Sequence, residues 1–523
     1  MDKIIISKTT FLSFVNCPKN VWLTIHKPDV VEKLSLSEFE KHILEQGNEV
    51  EVYARKLFPE GVAIDTTGDD AVNDTKKLIA DKASTIFQAT FLIDGFLAKN
   101  DMLAYDADND CWNLYEVKGT NSLKEDGGET RDHIDDLAFQ VAVIRREGVR
   151  LGKYFVIHLN KEYVRSGDID LATLLAVDDV TEKVDARLPE IEQQMTLAKE
   201  YLSQTKEPVG GCECIYKSRK KHCSAFQYIH PKVPEYSVHD LSRIHKTKLE
   251  LLVERGIFDL NDIPEDFKLS DKQQNQVIAH KRQKPMIDHE SIKKEMDSMT
   301  YPLYFFDYEA FGPAIPAFNG YGPYKRIPFQ FSLHILRSAD SELEHIEFLH
   351  DDLSDPSEKV AELLEKHIQP GGTVIAWYKT FEAGVNKEIG LRLPALATFF
   401  ERMNGMLYDL MDIFHDQHYI HHGFKGSASL KKVLPTLAPE LRYDKLGVQD
   451  GGQAADAWWK MVSPDTSASE KERISKDLKI YCGLDTYAMY AIWHHIKEML
   501  EGDTFPTRFA YAPLLSVDDP TTK

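Results

Sequence analysis

Two acidic residues stand in an unusually apolar part of the sequence. Asp307 and Glu309 lie two positions apart in LYFFDYEAF, a run with the character of a buried strand. Side chains two positions apart share one face of a strand, so the two carboxylates are expected side by side. Burying two like charges together is costly unless a cation neutralises them. The pair therefore predicts a site for a divalent ion such as Mg²⁺ or Mn²⁺.

Later segments can bring further ligands to this site. The run LKIYCGLDTYAMYAIWHHI is typical of a helix, on which Tyr481 and Asp485 are four positions apart and share a face. The run TVIAWYKTFEAGVNKEIG predicts a strand, a short loop and a helix whose first turn can deliver Glu382 to the same ion. Asp409 and Asp412 are alternative candidates for a fourth carboxylate.

A second candidate metal site lies earlier in the chain. DMLAY and CWNLYEVKG are strand-like and are joined by the turn segment DADND, so they predict a β-hairpin. Glu116 and Lys118 share a face of the second strand, and Asp101 begins the opposing strand. Carboxylates in this arrangement can hold Mg²⁺ or Mn²⁺, and the lysine can activate the attacking water. The helical run GNEVEVYARKLF offers Glu51 to the same region, although a solvent-exposed Glu-x-Lys pair is the common alternative.

The elements that must position these residues fall into three regions of an α/β chain. Its 523 residues suggest about three domains. Residues 1–230 mix helical and strand patterns, and residues 301–515 alternate strands with helices. Residues 231–300 are helical and polar, and the run LELLVERGIFDLNDIPEDF within them predicts either a helix–hairpin–helix that contacts phosphate or a plain helical linker.

Charge and composition restrict the function. Lys plus Arg is 63 and Asp plus Glu is 84, so the net charge of −21 excludes a general basic coat for nucleic acid. Basic segments at 217–222, 243–248 and 280–284 could still guide a phosphate backbone. We expect no secretory signal, no membrane span and no disulfide framework, and therefore a cytoplasmic protein.

The pattern around Glu116 and Lys118 resembles the RecB-like branch of the PD-(D/E)xK nucleases. That resemblance implies a restriction-endonuclease-like fold, in which an early helix gives an acid or His, strands give Asp and Glu-x-Lys, and the next helix gives Gln. The matching positions are Glu51, Asp101, Glu116, Lys118 and Gln140. Asn100 stands where the family motif has proline, and Glu51 replaces the usual His, with Glu49 as an alternative ligand.

The cysteines extend this resemblance. RecB-like nucleases with an iron–sulfur cluster place one cysteine near the N-terminus and three after the nuclease core, as do Cys17, Cys212, Cys214 and Cys223 here. The resemblance therefore implies a [4Fe–4S] cluster. The C-x-C-x8-C spacing departs from the more usual C-x2-C-x5-C arrangement, and zinc or unliganded thiols are the alternatives.

The later pattern resembles the DEDD exonucleases of the ribonuclease-H-like fold, in the subclass that carries a tyrosine. Asp307 and Glu309 match the first motif, and Tyr481 and Asp485 match the last. The resemblance implies two metal ions held by Asp307, Glu309, Glu382 and Asp485, with Tyr481 orienting the water. Glu382 departs from the family pattern because the middle motif normally has aspartate.

Together the two halves resemble a bacterial family that fuses a RecB-like nuclease domain to a DEDD exonuclease domain. The resemblance implies a metal-dependent nuclease acting on nucleic acid, with DNA ends or single strands favoured and a helicase or a repair or defence protein as a partner. One alternative is a nucleic-acid-binding scaffold in which one or both sites are inactive. A phosphodiesterase acting on small nucleotides is a third possibility.

Overall fold

The structure is a computed structural model that describes residues 4–32, 38–123 and 129–502, together with Phe509 and Tyr511. Helices and strands alternate through these ranges, which confirms the expected α/β class. No helix within them combines the length and the apolar character needed to cross a bilayer.

The chain divides into two compact units. The first unit comprises Met1–Val233 and Pro313–Tyr324, and the second comprises Pro234–Gly312 and Lys325–Lys523. The region 231–300 therefore belongs almost entirely to the second unit. A short segment between two strands of the second unit belongs to the first.

The first unit is built on a mixed sheet. Its strands are β1 (Ile6–Ser7), β2 (Val62–Ala63), β3 (Thr85–Ile93), β4 (Phe96–Asp106), β5 (Cys111–Lys118), β6 (Leu151–Leu159) and β7 (Leu175–Asp179). Its helices are α1 (Lys8–Asn16), α2 (Pro18–His26), α3 (Glu38–Arg55), α4 (Gly68–Ala80), α5 (Glu129–Arg146), α6 (Leu171–Leu174), α7 (Thr181–Leu202) and α8 (Phe226–Ile229). The sheet order is β2-β3-β4-β5-β6-β7, with β1 beside β4. Strands β3 to β5 are antiparallel neighbours, and β6 returns parallel to β5 after α5.

Two apolar clusters cover this sheet. Helix α5 buries Leu137, Val141 and Ile144 in one cluster, as its helical periodicity predicts. The other cluster joins Val50 of α3 to Ile315 of the segment Pro313–Tyr324. The segment therefore completes the apolar core of the first unit.

The second unit contains a five-stranded mixed sheet and a separate two-stranded sheet. The strands of this unit are β8 (Met286–Ile287), β9 (Leu303–Phe311), β10 (Ile327–Leu336), β11 (Leu343–Leu349), β12 (Thr373–Ala376), β13 (Leu407–Asp409) and β14 (Tyr419–Ile420). Its helices are α9 (Lys246–Glu254), α10 (Asp271–Arg282), α11 (His289–Ser298), α12 (Ser357–His367), α13 (Thr380–Arg392), α14 (Ala397–Gly405), α15 (Asp412–His415), α16 (Leu430–Leu437), α17 (Gly451–Val462) and α18 (Ala468–Glu501). The order is β11-β10-β9-β12-β13; β9, β10 and β11 are antiparallel, whereas β12 and β13 run parallel to β9, and β8 pairs with β14 separately.

The predicted helix–hairpin–helix is only partly regular. Helix α9 ends at Glu254, and Gly256 makes the expected turn with a φ of 71°. The following helical element is a single 3₁₀ turn, Leu260–Asp262, before the regular helix α10.

Candidate metal centres

Four acidic side chains of the second unit act on one another electrostatically, since the charges of Asp485, Glu309 and Glu382 all raise the pKa of Asp307. Asp307 and Glu309 project from the central strand β9, and their carboxylate oxygens and the Cys482 sulfur all lie within 4.8 Å of one another. Glu382 stands in the first turn of α13, immediately after β12, and Asp485 stands on α18. We call Asp307, Glu309, Glu382 and Asp485 the acidic centre. Each was predicted from the sequence as a ligand of one site.

Burial and mutual repulsion disturb the titration of the acidic centre. Burial and the charges of Asp485 and Glu309 raise the pKa of Asp307 well above its usual range, and burial and Asp485 do the same to the pKa of Glu309. Burial raises the pKa of Glu382 to about 8 and that of Asp485 to about 6. The four groups therefore resist ionising together unless a cation joins them.

The same centre contains an unsatisfied oxygen. Glu382 is 1% exposed, and its Oε2 atom has no hydrogen-bond partner among the described residues. Two cations act on this centre: Lys431, whose charge lowers the pKa of both Glu309 and Asp485, and Arg326, whose charge lowers the pKa of Glu382. Because two cations cannot balance four carboxylates, the donor set fits one or two divalent metal ions.

Two tyrosines hold the Asp485 carboxylate. Tyr481, predicted one helical turn before Asp485, is 5% exposed and hydrogen-bonds to it. Tyr443 donates a second hydrogen bond to Asp485 Oδ1. Tyr443 was missed by the sequence analysis because no spacing rule links it to Asp485. Cys482 is buried, and its sulfur lies 3.9 Å from Asp307 Oδ2.

The alternative acids are engaged elsewhere. Asp409 accepts hydrogen bonds from three backbone N–H groups, those of Tyr378, Lys379 and Met411. It therefore fixes the loop between β12 and α13. Asp412 groups with the exposed His415 and Asp416 on the short helix α15 and its C-cap.

The first unit gathers a different set of charges around Glu116. Lys118 Nζ lies 2.8 Å from Glu116 Oε1 and 2.6 Å from Asp136 Oδ2. Lys8, on α1, makes a second bridge at 2.9 Å to Glu116 and 3.0 Å to Asp136. Gln140 donates to Glu116 Oε2 at 2.8 Å. The predicted Glu116, Lys118 and Gln140 are thus in direct contact, and Lys8 and Asp136 are additions that the sequence analysis missed.

The remaining acids predicted for this site have other partners. Asp101 Oδ2 accepts the Val117 backbone N–H at 2.8 Å, and burial and the Glu116 charge raise the pKa of Asp101 to about 8. Glu51 is held by Arg55 at 2.7 Å and by Gln88 at 2.5 Å. Among the described residues, these carboxylates do not present three ligand atoms within 4.8 Å of one another.

Backbone geometry marks this part of the sheet. Gln88 has a φ of 59°, and neither Gln88 nor Asp101 is paired in the register of β3 with β4, which is the same on either side of them. At this irregular position the Gln88 side chain donates to Glu51. Asn100, beside Asp101, is fully buried and donates to the Gln140 carbonyl oxygen. This contact anchors Gln140.

The two centres differ in charge balance. Although burial opposes ionisation, the ammonium groups of Lys118 and Lys8 lower the pKa of Glu116. Two lysines therefore neutralise Glu116 and Asp136 without an added ion. We call this group the lysine–carboxylate centre. It is already compensated, whereas the acidic centre is not.

The four predicted cysteines meet in the first unit. The sulfur atoms of Cys17, Cys212, Cys214 and Cys223 all lie within 4.8 Å of one another, and those of Cys212 and Cys223 are 3.9 Å apart. Hydrogen bonds from the other three thiols lower the pKa of Cys214. The donor set therefore fits a thiophilic metal.

The second layer around the cysteines is polar. The Cys212 backbone N–H donates to His230 Nε2 at 3.3 Å, and the same ring nitrogen lies 3.4 Å from the Cys212 sulfur. Lys19, 8% exposed, donates to the Pro208 carbonyl at 3.0 Å and to that of Gly210. These contacts hold the cysteine-bearing segment against α2.

Comparisons with known proteins cover part of the chain. Residues 304–429 match a family model described as a domain of unknown function (DUF2779). An uncharacterized protein of Ureaplasma parvum, UU173, is 26% identical over an alignment of 218 residues that covers 38% of this chain. The chain spans about a third of that relative's length, 31%. The family match includes Asp307, Glu309 and Glu382 and ends before Asp485.

Proposed function

We propose that the protein is a metal-dependent nuclease that hydrolyses phosphodiester bonds in nucleic acid, with the acidic centre as its active site. The observation that carries this proposal is the set of four carboxylates, two buried (Glu309 and Glu382) and two half-buried, with an unsatisfied Glu382 oxygen and only two nearby cations. Divalent ions would supply the missing charge. DNA ends or single strands are the favoured substrates.

The architecture of the second unit supports this proposal. A sheet with three antiparallel strands followed by two parallel ones, in the order β11-β10-β9-β12-β13, is what a ribonuclease-H-like domain requires. Its acids come from the central strand β9, from α13 after β12, and from the last long helix, α18. We therefore propose a DEDD-type exonuclease domain.

The residues of the acidic centre take distinct roles in this mechanism. Asp307, Glu309, Glu382 and Asp485 would hold two divalent ions, which supply an acidified water and a counter-charge for the leaving oxygen. Tyr481 and Tyr443 hold Asp485 in its ionised form by donating hydrogen bonds to it. Lys431, on the acidic centre's periphery, offers a positive charge to a substrate phosphate.

For the first unit we propose a RecB-like PD-(D/E)xK domain. The succession of three antiparallel strands, a helix and a strand parallel to the third supports this architecture. Its lysine–carboxylate centre is neutral without metal, which favours nucleic-acid binding over cutting there. The scaffold alternative is therefore retained for the first unit alone.

An activity comparison tests the assignment of the active site. End-labelled single-stranded DNA is incubated with Mg²⁺ or Mn²⁺ and wild-type protein, Asp307→Asn, Glu116→Gln or the double variant. We expect Asp307→Asn to reduce cleavage on the order of a hundredfold or more, because it removes a metal ligand. Glu116→Gln should retain most of the activity.

The controls separate the possible failures. Glu365→Gln on α12 removes an exposed carboxylate of the same unit and should leave cleavage unchanged. Loss of activity only in Glu116→Gln would transfer the active site to the first unit. The nuclease proposal would be contradicted if the folded wild type cut neither DNA nor RNA and if Asp307→Asn left the metal affinity unchanged.

For the cysteine site we propose a single tetrahedral ion, zinc by preference, instead of the [4Fe–4S] cluster that the resemblance implies. Zinc bound to sulfur at about 2.3 Å places tetrahedral thiolates roughly 3.8 Å apart, close to the 3.9 Å between Cys212 and Cys223. A cubane binds each thiolate to a different iron and so needs a wider set.

Metal analysis of anaerobically purified protein tests the cysteine site. We expect about one zinc and no iron or labile sulfide per chain, and loss of that zinc in Cys214→Ser. Cys111→Ser is the matched control, because Cys111 is buried away from this group. Four irons with a visible absorption band near 400 nm, roughly, would establish the cluster instead.

A further inference from the structure

A cavity of about 170 Å³ lies inside the second unit. It is formed by the segment 236–243, by helix α10 and by the segment 414–428. None of its lining residues belongs to the acidic centre. A cavity of roughly 150 Å³ is enough to admit one benzene ring, and drug-sized ligands need at least about 300 Å³. The cavity therefore has room for a single flat ring system.

The walls of the cavity are aromatic. Tyr236, Phe414, Tyr419 and Phe424 line it, together with the imidazole of His421. Phe414 and Tyr419 stack with their ring centroids 5.9 Å apart, and His421 lies 5.5 Å from Phe424. Aromatic walls of this kind bind planar rings by stacking, and base stacking on such side chains is tolerant of sequence.

The charge of the cavity is positive in a strongly acidic protein. No lining residue is Asp or Glu, although the chain carries 84 acidic residues. Arg243 is exposed at this cavity and has no hydrogen bond or ion pair within the described ranges. Lys272, by contrast, is held by the His415 carbonyl at 2.7 Å and lies 3.6 Å from Asp416. Arg243 is therefore the cation available to an anionic ligand.

Imidazoles add polar groups to the cavity, since both His421 and His422 line it. Nδ1 of His421 accepts the Gly423 backbone N–H at 3.0 Å, which leaves the proton of that ring on Nε2. Burial and the neighbouring His422 lower the pKa of His421, so its ring is neutral near pH 7. The His421 imidazole therefore adds an N–H donor to the cavity lining.

We propose that this cavity binds one nucleotide unit, with its base between the aromatic walls and its phosphate on Arg243. Stacking surfaces, an imidazole N–H donor and a free guanidinium match the three parts of such a ligand. The inference rests on the proposed nuclease function, for which it supplies a subsite that holds an unstacked base of a single strand. Arg243 belongs to one of the basic segments that the sequence analysis singled out.

Binding measurements on the full chain test this subsite. Fluorescence anisotropy with a labelled single-stranded oligonucleotide is recorded in the Asp307→Asn background, where cutting is suppressed. We expect Arg243→Gln to weaken binding about tenfold, because a charge-assisted hydrogen bond to phosphate is lost. Arg337→Gln, at an exposed arginine paired with Glu344 and outside the basic segments, is the charge-matched control and should stay within about twofold.

A second variant tests the base. Ser427→Phe fills the cavity without changing charge and should weaken binding to a similar extent. An oligonucleotide carrying abasic sites should bind weakly to the parent protein and lose nothing further in Ser427→Phe. Competition by deoxynucleoside monophosphates distinguishes a free nucleotide from a strand as the ligand.

The outcomes separate this inference from the function on which it rests. Cleavage that depends on Asp307, with binding unaffected by both Arg243→Gln and Ser427→Phe, would overturn the subsite alone. The wild type could instead bind a monophosphate, lose that binding in both variants, and neither bind nor cut an oligonucleotide. That result would support the cavity as a nucleotide site and overturn the nuclease proposal.

Discussion

At the scale of single residues, the two charged centres are neutralised by opposite means. Lys8 and Lys118 neutralise Glu116 and Asp136 from within the chain, at distances of 2.6 to 3.0 Å. The acidic centre relies on Lys431, Arg326 and protons. A buried carboxylate that lacks a cation lowers stability, so the acidic centre should make the metal-free protein sensitive to pH.

The direction of this pH dependence follows from Glu382 and Asp485. Folding raises their pKa values from 4.5 and 3.8 to about 8 and about 6. An acid whose pKa is raised by folding contributes its full stability below the unfolded-state pKa, and this contribution is lost as the pH rises through the folded-state pKa. We expect the melting temperature in EDTA to fall by at least ~3 °C between pH 5 and 8, measured by scanning fluorimetry.

Metal and mutation should both reverse that loss. Mn²⁺ should raise the melting temperature at the high end of this range, and Glu382→Gln should flatten the pH profile. Glu365→Gln, an exposed acid on α12, serves as its control. A flat profile for the metal-free wild type would contradict the charge imbalance.

At the scale of secondary structure, the turn before β12 fixes the start of α13 and so the place of Glu382. Gly371 and Gly372 have φ values of 89° and 85°, in the left-handed region. A Cβ atom on Gly372 would meet the Pro302 carbonyl oxygen, whereas one on Gly371 would meet nothing within 4 Å. A substitution at Gly371 therefore tests only the left-handed backbone conformation, whereas one at Gly372 also tests the close approach to Pro302.

This pair gives a matched test. Gly371→Ala should cost about 1–2 kcal/mol through its left-handed backbone. Gly372→Ala should cost more, about 2–4 kcal/mol, because Pro302 and the start of β9 must also move. Urea unfolding followed by tryptophan fluorescence gives both values. Equal losses would show that the approach to Pro302 is relieved without cost.

Sequence patterns predicted the elements better than they predicted the long-range contacts. LYFFDYEAF is β9 in full, and Asp307, Glu309 and Asp485 follow from short spacings on a strand and a helix. Lys8 is 108 positions from Glu116, and Tyr443 is 42 from Asp485. Such contacts arise from tertiary packing, which local periodicity does not encode.

At the scale of the whole molecule, the core of the first unit is completed by residues that lie in sequence between two strands of the second unit. Ile315 is 6% exposed in the apolar cluster of the first unit, although it lies between β9 and β10 in sequence. In the same segment, the Tyr324 hydroxyl donates to the Gly119 carbonyl, next to Lys118. The first unit thus depends on residues that are made after more than a quarter of the second unit.

Truncating Ile315 should therefore weaken the first unit. We expect Ile315→Ala to cost about 2–4 kcal/mol, because it leaves a cavity beside Val50. Hydrogen exchange should rise in α3 and β5. Val164→Ala, at a side chain that is 59% exposed, is the control and should change little. Faster exchange confined to β9 and β10 would contradict this packing.

The segment Pro313–Tyr324 also constrains how the protein is made. A ribosome that has completed Val233 has not yet supplied Ala314 and Ile315, so the first unit cannot close its core when its main stretch emerges. By the time Tyr324 is available, β9 has been synthesised with Asp307 and Glu309. The unit encoded first is thus finished late in translation, and an mRNA truncated after residue 233 yields an N-terminal half that lacks part of its interior.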